Sequence, residues 1–251
     1  MSRKMVHVVG DRFVGFAKHN PGVMTITEME SLVGRGELPP QTTLIIGQGV
    51  QSQRLRRLQE RLAAMGNDAQ ITLMAEPRER ADPRLTHKHF EKNIMISTLT
   101  RIDAAQEMYD ASLLLDDECA EMSDHVTGQH IQGMVFIEAA RQMFIAVTES
   151  FYLAGSDRKH YFVINKFDVS YHSFGFPIPT AIRYQVLDHQ YDPRGTHSFA
   201  AKISFLQVEE LVSEIIVKFA AYDESFLSAR EASKARQAIT KIAPQPSKQV
   251  S

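Results

Sequence analysis

Residues 133–153 contain the sequence feature that most restricts the fold. This stretch, GMVFIEAARQMFIAVTESFYL, is apolar enough to predict a helix that is buried over most of its surface. Glu138, Arg141 and Gln142 nevertheless lie inside it. Spacings of three and four residues place the three polar side chains on one helical face, so we expect them to form one cluster. Because buried polar groups need partners, the cluster is either a buried polar network or part of an active site.

The composition is that of an ordinary soluble protein. Of the 251 residues, 43% are hydrophobic and 23% are charged, and the formal net charge is -2. This balance predicts neither nucleic acid nor a membrane as a partner. The first residues have too short an apolar run for a signal peptide, and no segment of about 18 apolar residues could span a bilayer. The sequence therefore predicts a cytoplasmic protein.

Cys119 is the single cysteine of the chain. One cysteine excludes an intramolecular disulfide framework and a CxxC metal site, and it fits a reducing compartment. The acidic residues around Cys119 predict a raised thiol pKa, which disfavours a nucleophilic role. The histidine and glutamate spacings are not typical of a metal site, and a GxSxG motif is absent. We therefore expect neither a metal nor another cofactor.

The periodic hydrophobic pattern is interrupted at residues 75–86 by charged residues and two prolines, which suggests a domain boundary. Residues 1–80 are predicted to form a small α/β domain of unknown role. Its expected strands are 6–10, 43–49 and 69–75, and its expected helices are 25–36 and 52–66. Alternating strands and helices predict a short parallel sheet.

Gly47 and Gly49 lie in a predicted turn between a strand and a helix. Turns at this place in open α/β sheets bind anions or phosphates. The third glycine of the dinucleotide-binding fingerprint is missing, and no acidic residue is placed to bind a ribose. A plain tight turn is therefore the favoured interpretation.

Residues 85–225 are predicted to form an antiparallel sheet around the long helix. The expected strands are 93–101, 106–116, 161–172, 180–190, 197–208 and 211–223. Alternation is clear in the last strand, where Ile215, Val217 and Phe219 face one way and Lys218 the other. Residues 226–251 are predicted to form an exposed helix and a flexible end. The predicted class is α+β, a hotdog fold preceded by a small α/β domain.

Two motifs resemble a known family. The string DHVTGQHIQGMVFIEAARQ, residues 124–142, is similar to the D-H-x-x-(D/E)-H-x-P-G-M-x-x-x-E-A-A-R-Q signature of the A-factor biosynthesis (AfsA-type) hotdog family. The string THKHFEKNIMIS, residues 86–97, is similar to that family's V-H-K-x-x-x-x-N-V-L opening. The chain departs from the pattern at Gln129, where the family has an acid, and at Gln132, where it has a proline. A typical member also carries two hotdog repeats, whereas this chain shows one.

The resemblance implies a reaction. Members transfer a β-ketoacyl chain from an acyl carrier protein thioester to the hydroxyl of dihydroxyacetone phosphate, on the way to γ-butyrolactone or butenolide signals. The implied partners are an acyl carrier protein or CoA thioester and a small phosphorylated or hydroxyl acceptor. Carried over to this chain, Glu138 would be the acid/base, His125 and His130 the loop histidines, and Arg141 and Gln142 their partners.

The start of the helix could hold the thioester oxygen. The first backbone N–H groups of a helix lack internal partners and carry the positive end of its dipole, so the amides of Gly133 and Met134 are candidate oxyanion donors. Glu138 would lie about 7.5 Å further along the axis, within reach of the reacting centre. Gln129 would flank this site.

Other side chains could bind the rest of the substrates. Lys88, Arg141 and Arg183 are candidates for a phosphate group, although a solvated surface charge is the favoured alternative for Lys88 and Arg183. Met134, Phe136 and Phe144 could line a tunnel for the acyl chain, or they could be core residues.

Several alternatives stay open on the residues alone. The partner of Glu138 could be Arg141 in a salt bridge that only satisfies the helix interior. The protein could be a hotdog thioesterase or dehydratase, or a non-catalytic module that binds acyl groups or a carrier protein. A single hotdog leaves its sheet edge and helix face incompletely covered, so we expect a homodimer with the site at or near the subunit interface.

Overall fold

The computed structural model describes residues 4–65, 71–74, 79–123, 128–156, 159–193 and 195–242, except for the side chain of Phe226. His125, the ends of the predicted strand 69–75 and the last residues of the chain lie outside these ranges.

The first part of the chain forms a parallel sheet whose described strands are ordered β2-β1-β3-β4. Strands β1 to β4 span Lys4–Val9, Val23–Thr25, Thr42–Ile46 and Thr72–Met74, and helices α1 to α3 span Val14–His19, Ile26–Gly34 and Ser52–Ala64. All three ladders are parallel, which confirms the predicted sheet. Strand β2 and helix α1 were not predicted, because elements of three and six residues are too short to show a period.

Helix α2 shows why these local elements form. Thr25 and Glu28 make a capping box in which each side chain accepts a hydrogen bond from the other residue's backbone N–H. Ile26, Met29 and Val33 then recur at helical spacing and are buried in a small core shared with the parallel sheet. The cap and the apolar stripe together determine where the helix begins and which face it buries.

The described strands of the second part form an antiparallel sheet in the order β5-β6-β8-β9-β10-β7. Strands β5 to β10 span Thr100–Asp103, Met108–Ser112, His160–Tyr171, Ala181–Asp192, Thr196–Gln207 and Glu210–Asp223. Helices α4 to α7 span Pro83–Thr86, Ala120–Ser123, Gly133–Val147 and Glu224–Ile242. Helix α6 continues as a π-helical turn to Tyr152, so the predicted long helix is confirmed. A sheet around this helix is the predicted hotdog arrangement.

The core of the hotdog lies between α6 and one face of the sheet. Ile215, Val217 and Phe219 of β10 are buried there, whereas Lys218 between them is exposed, as the alternation predicts. Phe144 of α6 stacks on Phe219 with 4.3 Å between ring centroids. None of the described helices combines the length and the apolarity needed to cross a lipid bilayer.

The predicted strand at 93–101 was wrong over most of its length. A 3-10 helix covers Glu91–Asn93, and β5 begins only at Thr100. The apolar residues 94–96 are buried in the core around α6, and the side chain of Gln142 hydrogen-bonds the backbone of this segment. Ile96 and Ser97 form only isolated bridges, with Leu113 and Arg80. An apolar run does not distinguish a full ladder strand from such a segment.

The two parts of the chain are packed together. Val9, Phe13 and Phe16 from the first part belong to the same buried cluster as the hotdog core. The proposed boundaries near residues 80–85 and 226 therefore stay a prediction.

Candidate active site

The polar cluster predicted on α6 forms, and it centres on Glu138. The Nε and Nη2 atoms of Arg141 donate to the two carboxylate oxygens of Glu138, each at 2.8 Å. Gln142 Nε2 donates to Oε1 at 3.0 Å, and Lys88 Nζ lies 2.8 Å from the same oxygen. The two sequence motifs therefore meet at one carboxylate.

The surroundings of Glu138 keep it ionised. Burial by itself would raise the pKa of Glu138, but hydrogen bonds from Arg141, Lys88 and Gln142 outweigh it and hold the pKa below its ordinary value. The carboxylate is thus a weak base with four donors on its two oxygens. Its role in proton transfer stays a prediction, and these contacts favour a supporting role.

Lys88 is not the solvated surface charge that the sequence analysis favoured. Its side chain is only 17% exposed, and its ammonium lies between Glu138 and Glu121, with Glu121 Oε1 at 3.5 Å. The second oxygen of Glu121 is buried without a hydrogen-bond partner. Glu121 was not predicted as part of this cluster. It lies on the short helix α5, and no helical spacing relates it to Glu138 on α6.

The amino end of α6 is open. Gln132 is the N-cap residue, yet its side chain caps no amide of the helix. It donates instead to the backbone oxygen of Glu121. The first amides of α6 therefore have no side-chain acceptor from the capping position, which leaves the positive end of the helix dipole available to a ligand.

Gly133 leaves space at this end of the helix for the side chain of Tyr171. A Cβ atom there would lie 2.6 Å from the hydroxyl oxygen of Tyr171, so this side chain would have to shift. Burial raises the pKa of Tyr171, so the phenol stays protonated and can donate a hydrogen bond. The sequence analysis missed Tyr171, which lies at the end of β7.

A cavity of about 610 Å³ opens at the amino end of α6. Its walls include His130, Gly133, Phe136, Tyr171, His172 and Phe174. Aromatic walls with a few polar groups are typical of sites that bind a largely apolar ligand with a polar head. Glu138 is not among the residues that line this cavity. The predicted acid/base and the predicted oxyanion donors are therefore separate in the described structure.

The other predicted loop and helix residues take different positions. The ring of His130 lies 5.2 Å from that of Phe174 in the cavity wall, whereas Gln129 points towards the first part of the chain. Met134 is 60% exposed, and Phe144 is a core residue. Of the possible tunnel residues, Phe136 alone contributes to the described cavity lining.

Arg183 and Cys119 lie away from this cavity. Arg183 forms an exposed cross-strand pair with Asp110, in line with the favoured surface role. Cys119 is fully buried. Burial, supported by the neighbouring carboxylates of Glu121 and Asp116, raises the pKa of its thiol to about 11. A thiol in this state is a poor nucleophile.

The turn with Gly47 and Gly49 is a structural turn. The amides of Gly47, Gln48 and Gly49 donate to the backbone oxygens of Val8, Pro177 and Leu115 at 2.8, 3.0 and 3.2 Å. These three amides are therefore engaged within the protein. These bonds confirm the favoured interpretation, a tight turn.

A second cleft of about 610 Å³ lies between α3 and residues 79–94. Its walls carry Arg56 and Arg80 but also Glu79 and Glu91, so their charges balance. It does not adjoin the amino end of α6, and we therefore place the candidate site in the cavity at Gly133.

Comparison with known proteins identifies the hotdog part. A family model described as the A-factor biosynthesis hotdog domain matches residues 69–223. No curated protein matches the chain. Among solved structures, a thioesterase variant from Pseudomonas aeruginosa is 14% identical, with a TM-score of 0.40 over 59% of this chain and 99% of that chain. The protein yhdA from Lactococcus lactis is 16% identical, with a TM-score of 0.38 over 51% of this chain and 93% of that chain.

Structural likeness at these identities carries no information on activity. The family match covers well over half of the chain. It includes both sequence motifs, the whole of α6 and all the described strands of the antiparallel sheet. The chain therefore belongs to the A-factor biosynthesis hotdog family.

Proposed function

We propose that the protein is an acyltransferase-like enzyme for β-ketoacyl thioesters of an acyl carrier protein or CoA. It transfers the acyl group to a small hydroxyl acceptor such as dihydroxyacetone phosphate, in the synthesis of γ-butyrolactone or butenolide signals or a related metabolite. The observation that carries the proposal is the aromatic cavity that ends on the uncapped amino end of α6 at Gly133. Family membership supports the reaction class.

The cavity combines hydrogen-bond donors for a thioester carbonyl with apolar walls for an acyl chain. The carbonyl oxygen binds at the amides of Gly133 and Met134, where the helix dipole stabilises the negative charge of a tetrahedral intermediate. The hydroxyl of Tyr171, which lies directly over Gly133, is a further donor for that oxygen. The acyl chain packs against Phe136 and Phe174, which line the cavity.

His130 is the group in the cavity wall best suited to move the proton. It accepts the proton of the acceptor hydroxyl while the hydroxyl oxygen attacks the thioester carbon. The tetrahedral intermediate then expels the thiolate by breaking the C–S bond, and His130 returns the proton to the sulfur. The products are an ester and a free thiol. Glu138, Lys88 and Arg141 hold α6 and the motif segment around residue 88 in place.

The reaction is tested by incubating the protein with a β-ketoacyl thioester and dihydroxyacetone phosphate. We expect an ester product and one free thiol per ester, measured by mass spectrometry and a thiol reagent. An intact thioester would refute the acyl transfer. Free acid formed at the same rate with and without acceptor would identify a thioesterase. In a parallel incubation with a β-hydroxyacyl thioester, an enoyl product would identify a dehydratase, and both thioesters left intact would favour the non-catalytic binding module.

Replacing Gly133 with alanine tests whether the helix end is the site. The added Cβ collides with Tyr171 and occupies the space of the thioester carbonyl, so we expect kcat/KM to fall about 100-fold, the scale of losing an oxyanion donor. Gly34→Ala is the matched control, since a Cβ there meets nothing within 4 Å. Equal rates for both variants would place the reaction elsewhere.

We also propose that two copies of the chain form a homodimer through β7. This twelve-residue strand is at the edge of the sheet and pairs only with β10 among the described strands. Tyr161, Ile164 and Tyr171 on β7 are 42%, 44% and 51% exposed. A long apolar edge strand is a template for pairing with another chain. Because Tyr171 lies both on this edge and in the cavity wall, the second copy would border the site.

Sedimentation velocity at micromolar concentration tests the dimer. We expect twice the mass of the chain, and a shift towards monomer in the variant Ile164→Lys, which places a charge on the free edge. Leu187→Lys is the control, since Leu187 is 52% exposed but lies on the interior strand β8. A monomeric wild-type protein would contradict the proposal.

A further inference from the structure

Helix α1, from the first part of the chain, contacts the loop that carries His130. The backbone N–H of Phe16 donates to the backbone oxygen of Gly128 at 2.7 Å. The side-chain amide nitrogen of Gln129 lies 2.9 Å from Nδ1 of His19. Loop residues on the amino-terminal side of His130 are thus bound to α1 by a backbone hydrogen bond, and the side chain of Gln129 contacts His19.

Gly15 makes this contact possible. A Cβ atom at Gly15 would lie 2.8 Å from the backbone oxygen of Gly128 and 2.9 Å from the amide nitrogen of Gln129. Because one of these atoms is backbone, the loop itself would have to move to accept any larger side chain. Gly15 therefore sets how closely α1 and the loop approach each other.

The same part of the chain contacts the residues that directly follow Gly175, the last residue of the other cavity wall. The ring of Phe16 stacks on that of Phe176, with 5.6 Å between centroids and 26° between planes. The amide of Gln48 donates to the backbone oxygen of Pro177 at 3.0 Å. The two walls are also joined directly, since the amide of Ile131 donates to the backbone oxygen of Gly175 at 2.7 Å.

We propose that α1 positions the candidate site, with Gly15 and Phe16 as positioning residues. They hold the His130 loop and the wall around Gly175 in register with the amino end of α6. The inference rests on the proposed function and assigns to the first α/β part a role in that site. Neither residue lines the cavity, so both act through the loop and the wall.

A displaced loop has a chemical consequence. His130 must meet the acceptor hydroxyl at the thioester carbon, and a shift of about 1 Å is enough to lose most of the benefit of orientation. A loosened wall also admits water, which competes with the acceptor for the same carbon and yields free acid. The ratio of ester to free acid therefore reports the position of the loop. Once the acid formed in a protein-free incubation is subtracted, this ratio does not depend on how much of the sample is folded.

The variant Gly15→Ala is compared with Gly34→Ala, a glycine replacement in a helix of the same part of the chain that meets nothing within 4 Å. We expect Gly15→Ala to lower the ratio of ester to acid at least five-fold and Gly34→Ala to leave it unchanged. Phe16→Ala should lower the ratio and Phe16→Leu should restore part of it, because leucine refills the space against Phe176.

Hydrogen exchange supplies a readout that needs no substrate. In Gly15→Ala, amides of residues 128–135 should exchange at least ten-fold faster, while amides of β9 keep the wild-type rate and show that the core is intact. Unchanged exchange and an unchanged ratio would overturn the proposal. If the wild-type protein forms no acyl product at all, the proposed function fails, and the exchange result alone decides whether α1 positions the loop.

Discussion

Replacing Glu138 with alanine is expected to destabilise the protein by about 3–5 kcal/mol, the typical effect of removing one partner from a buried ion pair. Lys88 and Arg141, 17% and 27% exposed in their side chains, would be left as two neighbouring cations without their common anion. Urea unfolding followed by circular dichroism measures the change.

Glu118→Ala is the matched control for this variant. Glu118 is 65% exposed and its carboxylate lies 3.9 Å from Lys92, so its removal should change the free energy of unfolding by less than about 1 kcal/mol. A double-mutant cycle with Lys88→Met separates the energy of the Glu138–Lys88 pair from the cost of leaving Lys88 with Glu121 alone. A Glu138 variant as stable as the Glu118 variant would show that the cluster adds nothing to the fold.

The Glu138 cluster also makes a pH prediction of defined sign. The pKa of Glu138 is lower in the folded protein than its ordinary value, so its contribution to stability is present above the ordinary pKa of about 4.3. That contribution is lost as the pH falls through the folded pKa. As the pH falls below about 4.3, the free energy of unfolding of the wild-type protein should therefore decrease by an amount that the variant Glu138→Gln does not lose.

Asp117→Asn is expected to stabilise the protein, whereas Glu138→Ala destabilises it. The carboxylate of Asp117 lies where β1 and β3 end, and a Cβ at either Gly10 or Gly49 would collide with its Oδ1. This oxygen is buried without a hydrogen-bond partner. Burial, with a smaller contribution from Asp11, raises the pKa of Asp117 to about 6. Compared with the unfolded chain, the folded protein therefore favours the protonated form of Asp117.

The sign follows from the raised pKa. The stability that Asp117 contributes is full below its ordinary pKa of about 3.9, and it is lost as the pH rises through about 6. An asparagine stays neutral throughout, so at pH 8 we expect the variant to be more stable than wild type by about 2–3 kcal/mol. At pH 4 the two proteins should unfold alike.

The measurement is the midpoint of thermal unfolding from pH 4 to 8. Asp168→Asn is the control, because Asp168 is 53% exposed and paired with Lys166 on the surface, and it should follow the wild-type curve. An Asp117 variant that is less stable than wild type at pH 8 would contradict the raised pKa. The result also tests a contact between the two parts of the chain, because Asp117 belongs to the second part and lies between Gly10 and Gly49 of the first.

Much of the site's local chemistry could be predicted from sequence. The spacing of Glu138, Arg141 and Gln142 placed the three on one helical face, and the structure joins them in one hydrogen-bonded cluster. The same pattern did not show that the cluster lies apart from the cavity at Gly133. Whether a side chain faces a cavity or a neighbouring ion depends on what packs above it, and helical periodicity does not contain that information.

The contacts of the site residues with residues distant along the chain could not be predicted from the sequence. Tyr171 covers Gly133, and Glu121 binds Gln132 through its backbone oxygen, but no spacing rule relates these positions. The strand predicted at 93–101 was wrong for a similar reason. Its apolar residues are buried, but they form only isolated bridges such as Ile96 with Leu113, and Gln142 takes up the amide of Met95. The hydrophobic period does not show how many residues of a buried run join a ladder.

The sequence by itself determined the elements whose residues repeat with a regular period: the buried helix that begins at Gly133, the alternating strands such as β10, and the parallel sheet of the first part. It also determined the family through two motifs. The tertiary structure alone decided that Lys88 pairs with Glu138, that α1 contacts the loop of His130, and that Asp117 is buried between two glycines. Periodicity reflects interactions between near neighbours, whereas these contacts join residues that only the packing of the whole chain brings together.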